Sequence, residues 1–78
     1  MNARRRKILD QVGRYLDLAA DQLSDVIDEE QDCLDNTPDN LQESESYAQR
    51  EECLDLLSDA ADEIQSAKES IIEAMNAV

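Results

Sequence analysis

The chain is 78 residues long, carries 20 Asp and Glu against 7 Lys and Arg for a formal net charge of −13, and contains no His, Trp or Phe. That length allows one small domain, whose single core seldom supplies more than about 3–5 kcal/mol, and the acidity excludes nucleic acid and anionic membrane as partners for most of the surface. Without histidine the commonest general base is missing and no Ser or Cys has a base beside it, so neither an enzyme nor a cofactor is expected.

Helix formers dominate and about a third of the residues are charged, which predicts an all-α chain with no strand. The first helix is expected over residues 4–35. Its apolar stripe steps alternately by three and four residues through Leu9, Val12, Leu16, Ala19, Leu23, Val26, Glu30 and Cys33. Gly13 lies inside it at a cost of about 1 kcal/mol relative to Ala, with a close approach of the second helix as the candidate reason. Arg4, Arg5, Arg6 and Lys7 sit at the end where the helix dipole favours anions, which points to a use other than helix stability.

Residues 36–44 form the expected break. Pro38 cannot continue a helix and pushes Thr37 out of the α region. Thr37 and Pro38 also suit the start of a short helical turn that returns Leu41 onto the hairpin end. The second helix is expected over residues 45–76, capped by Ser44 or by Ser46, the latter spaced with Gln49 as a capping box. Its stripe reads Tyr47, Arg50, Leu54, Leu57, Ala61, Ile64, Lys68, Ile71 and Met75.

Folding the chain back at residue 40 pairs positions whose numbers sum to 80. Val26 then meets Leu54, Leu23 meets Leu57, Ala19 meets Ala61, Leu16 meets Ile64, and Glu30 meets Arg50. This predicts an antiparallel two-helix hairpin, coiled-coil-like in its packing. Two further rows, Ala20, Ile27 and Leu34 on the first helix and Cys53, Ala60, Ala67 and Ala74 on the second, flank the seam on opposite sides. Uncovered rows of this kind call for another helix, and a homodimer forming a four-helix bundle is the expected solution; the alternative is a structural or assembly adaptor whose partner helix covers these rows. Cys33 and Cys53 are out of step in this register, so they are read as small buried apolar residues in a reducing compartment rather than as a disulfide.

Asp28, Glu30, Asp32, Asn36 and Asp39 fall at calcium-loop intervals, but Cys33 stands where the sharp turn needs Gly and no metal site is expected. The acids that remain unexplained line the outer faces: Asp17, Asp21, Asp28 and Asp32 on the first helix, and Glu52, Asp55, Asp59 and Asp62 on the second. Such faces suit a protein partner with a basic surface; solubility alone is the plain alternative. No apolar run approaches the ~20 residues of a membrane span, and the start lacks a signal peptide's uninterrupted apolar core, so a cytoplasmic protein is expected.

The stretch Asp35-Asn36-Thr37-Pro38-Asp39-Asn40-Leu41-Gln42-Glu43-Ser44-Glu45, with acidic heptads on both sides and a basic start, resembles a group of small helical proteins encoded by prophages and phages. Their pattern is a basic N-terminus, an acidic helix, a D-N-x-P-x-N-L-Q-x-S-E turn and an Ala/Glu/Leu-rich second helix. The likeness spans nearly the whole chain, and the turn is its specific part; Tyr47-Ala48-Gln49-Arg50 departs from the usual continuation. The resemblance implies a phage setting inside a host cell. Small acidic phage proteins often block a host factor, such as a defence nuclease complex. A rival resemblance, to needle subunits of type III secretion, fits the length and the Pro/Asn turn but not the acidity or the missing N-terminal Trp.

Overall fold

The computed structural model describes residues 1–77. Two long helices, α1 (Ala3–Asp35) and α2 (Glu45–Asn76), are joined through a single 3-10 turn at Asp39–Leu41, and no strand occurs among the described residues. No helix there is long and apolar enough to cross a membrane. Both helix starts are capped by side chains. Asn2 accepts from the Arg5 amide at 2.8 Å, and Ser44 accepts from the Tyr47 amide at 3.1 Å. Ser44 is therefore the cap of α2, and Ser46 lies inside the helix.

The reversal comes later than the Pro38 signal suggests. Asn36 donates its amide to the Asp32 carbonyl and Thr37 to that of Leu34, so the chain keeps close to the path of α1 past residue 35. The Thr37 hydroxyl donates back to the Cys33 carbonyl at 3.1 Å, which ends α1 rather than capping a new helix. Leu41 and Gln42 then donate to the carbonyls of Pro38 and Asp39. Leu41 stays half exposed, at 49 %, instead of closing the hairpin end. The centre of the fold-back is thus nearer residue 42 than residue 40.

That shift moves the register by about one helical turn. Lys68, expected opposite Val12, makes its ion pair with Asp17. The row of α1 that turns inward beyond Leu16 is Ala20, Leu23, Ile27, Glu30 and Leu34; of these Leu34 is buried at 6 % exposure. Ala19, Val26 and Cys33, expected in the seam, are exposed. On α2 the inward row is as expected apart from Arg50, which is exposed, with Leu54 buried at 7 %. Layers whose numbers sum near 84 follow from this pattern: Ile27 with Leu57, Leu23 with Ala61, Ala20 with Ile64, and Leu9 with Met75. Glu30 lies level with Leu54, and it forms no ion pair with Arg50 among the described residues.

Where the two members of an apolar doublet on α1 differ clearly in size, the seam takes the larger. Ile27 goes in and Val26 stays out; Leu34 goes in and Cys33 stays out. Burying the bigger side chain removes more apolar area from water, at about 25 cal/mol per Å².

The result is a rod of 59 × 17 × 13 Å. Its accessible surface is 6001 Å², against about 4,800 Å² for a compact monomer of 8.8 kDa. Only Leu34 and Leu54 are buried among the described residues.

Candidate interaction surfaces

A row one residue after the seam on α1 faces the same way as the row one residue after it on α2. Reversing the chain direction carries each helix's face across the seam, so like rows share a side. The grooves beside the seam bear this out. Gln31 and Asp35 of α1 share one groove with Glu51 and Asp55 of α2. Asp10, Arg14 and Asp17 share another with Ile72. On the other side, Cys33 shares a groove with Ser46 and Arg50.

The two sides of the hairpin differ in chemistry. The side after the seam carries Asp10, Asp17, Asp21, Asp28 and Asp35 from α1 and Glu51, Asp55, Asp62 and Glu69 from α2, all exposed. Its basic residues, Lys7 and Arg14, sit at the open end. Gln31 donates to Asp35 at 2.9 Å and Gln65 to Glu69 at 3.3 Å, holding two of these carboxylates along their own helices. Asp17 is tied to Lys68.

The side before the seam carries Ile8, Val12, Tyr15, Ala19, Val26 and Cys33 from α1, and Cys53, Leu56, Ala60, Ala67 and Ala74 from α2. Tyr15 and Leu56 are each 61 % exposed, so these side chains face water in the hairpin. Met1, Arg5, Ile8 and Leu9 continue this side as an apolar notch at the open end. Glu29 and Glu63 are its acids and Arg5 and Arg50 its bases, leaving it electrically balanced. Ile72 interrupts the acidic side, and Leu18 stands alone on the back of α1.

Several expected site residues are redistributed. Asp17, Asp21, Asp28, Asp55 and Asp62 do gather on one side, while Asp32, Glu52 and Asp59 lie on the outer backs of the helices. Ala20, Ile27 and Leu34 belong to the hairpin's own seam, so they are not an uncovered flank. Cys53, Ala67 and Ala74 are exposed and Ala60 is half-buried, on the apolar side with Val26. The two uncovered rows therefore share one side instead of facing apart. Both cysteines are free and exposed, which corrects their reading as buried residues. Tyr15, Val26 and Leu56 were the apolar surface residues that stripe counting missed or misplaced. The signal was the run of adjacent doublets Ala19-Ala20, Val26-Ile27 and Cys33-Leu34, in which one member must face outward.

No cluster of His, Cys, Asp or Glu among the described residues is placed to hold a metal ion, and residues 28–35 of the calcium-like interval are helical. Comparison with family models, with curated proteins and with solved structures returned no match.

Proposed function

We propose that the chain is a non-enzymatic, phage-encoded binding protein that acts in the host cytoplasm by occupying a basic, nucleic-acid-binding site on a host defence protein. The observation that carries this reading is the segregation of nine carboxylates onto one side of the hairpin, with its two bases confined to the open end. Charge scattered for solubility alone has no reason to avoid the opposite side. On that side alone, nine acids along a 59 Å rod is one per about 6–7 Å, roughly half the linear charge density of a single DNA strand with its ~3.4 Å phosphate spacing. The phage origin and the defence target rest on the turn-motif resemblance.

The assembly belongs to the same proposal. A homodimer that joins the apolar sides forms a four-helix bundle, covers Tyr15, Val26 and Leu56, and turns both acidic sides outward. The dimer should strengthen as salt screens the repulsion between two chains of charge −13, as sedimentation at several salt concentrations will show.

Charge reversal tests the function. Asp21→Lys, Asp28→Lys and Asp62→Lys together should abolish capture of a nucleic-acid-binding protein from bacterial lysate, and the wild-type capture should be released by salt. Reversal of Asp25, Asp32 and Asp59 on the helix backs should weaken capture far less. A salt-resistant partner that survives the first set but is lost with Ala67→Glu would replace this reading with that of an assembly adaptor binding a partner helix on the apolar side.

A further inference from the structure

We propose that the second copy packs on the apolar side running in the opposite direction, so that the basic first turn of each chain lies beside the acidic bend of the other. This rests on the dimer reading above and assigns a use to Arg5, the base of the first turn that lies on the apolar side. Three observations carry it.

The first is area. One long side of the 59 × 17 × 13 Å rod spans about 1,000 Å², enough for the ~800 Å² per partner of a standard interface. The second is shape. Both uncovered apolar rows face one way and continue to the open end through Met1, Arg5 and Ile8, so a single partner rod of equal length covers them.

The third is charge along the axis, which sets the direction. Residues 1–14 hold five basic side chains against Asp10. Residues 28–55, which wrap the bend, hold eleven acids against Arg50. Two copies side by side in the same direction would set two bends of this net charge next to each other, although most of their carboxylates face away from the joined sides. Opposite directions set each basic end against an acidic bend instead. The first turn of α1 also gains the negative neighbours that the helix dipole favours and that its own sequence withholds, since it has no acid of its own.

Direction is readable by cross-linking, because Cys33 and Cys53 both lie near the bend on the apolar side. A two-fold axis that reverses the rod sets α1 against α1 of the second copy, so Ile8 of one chain stands nearly level with Cys33 of the other, while Cys33 and the other chain's Cys53 are about 35 Å apart along the rod at 1.5 Å per residue. A two-fold axis along the rod sets α1 against α2 of the second copy and brings Cys33 level with the other chain's Cys53. The unaltered chain, and Cys53→Ser combined with Ile8→Cys, are treated with a mild oxidant and run without reductant, with sedimentation in parallel. The expected result is a covalent dimer with the combined variant and none with the unaltered chain, both being dimers before oxidation. A covalent dimer from the unaltered chain overturns the opposite direction. A sedimenting dimer that cross-links in neither case overturns the pairing of these sides. A monomer at high protein and high salt refutes the dimer reading itself.

Discussion

The bend end and the open end of the hairpin share one apolar seam but are packed to different degrees. Near the bend, Leu34 and Leu54 are buried, Ser44 caps α2 and the Thr37 hydroxyl ties off α1. At the open end, Leu9, Ile71 and Met75 are only half-buried, and Gly13 meets nothing where a Cβ would stand. A short connection forces the helices together at one end, and nothing covalent does so at the other. Between these ends Leu16, Leu23, Ile27, Leu57 and Ile64 are half-buried too, so full burial is confined to the layer beside the turn, and the open end, which no connection holds, is where local opening should begin.

The largest effect tests that difference. Leu54→Ala or Leu34→Ala should cost about 2–5 kcal/mol, enough to unfold so small a domain. Leu9→Ala or Met75→Ala should cost roughly half as much or less, because those side chains already keep contact with water. Urea titrations at one fixed protein concentration will rank them, since self-association would otherwise shift the midpoints. Equal costs at the two ends would break the comparison.

The helices were legible because their signals are local: a serine cap at the start of α2, Pro38 at the break, and apolar steps of three and four; the Asn2 cap of α1 emerged only in the structure. The register was not, because it depends on where the chain reverses. Pro38 reads as the turn, yet the hydrogen bonds of Asn36 and Thr37 carry the chain onward before it doubles back. The choice between Val26 and Ile27, or Cys33 and Leu34, is also invisible to periodicity, since both members are apolar and adjacent. Side-chain size settles it in favour of the larger. Once the inner row moves by one residue, the uncovered rows move with it. The distinction between an acidic and an apolar side, on which the functional reading rests, could not be read until that row was known.

A smaller change should tighten the loose end. Gly13 has an ordinary helical backbone with no positive φ, lies at the edge of the seam, and has open space in place of a close neighbour. A close approach of α2 is thus not the reason for glycine here. Gly13→Ala should stabilise the chain by about 0.5–1 kcal/mol, raising the melting temperature by several degrees. Amide exchange over residues 5–17 should slow along with it. A loss of stability would mean that α2 closes on Gly13 in solution.

The smallest effect concerns the tie at mid-rod. Lys68 reaches from the seam of α2 to Asp17 on the acidic side, with 31 % and 53 % of the two side chains exposed. An ion pair so open to water is screened, and a double-mutant cycle with Asp17→Asn and Lys68→Gln should give a coupling of about 0.2–1 kcal/mol that shrinks with added salt. Its larger influence is on register, because Lys68 stands one turn from where a sum of 80 would place it and no other basic residue of α2 lies on that stretch of the seam. Lys68→Met should leave stability nearly unchanged, as the methionine fills a place between Ile64 and Ile71 in the seam without needing an anion. If the coupling instead exceeds 2 kcal/mol, the open half is held electrostatically, and the contrast between a packed bend and a loose end must give way to one between two different kinds of attachment.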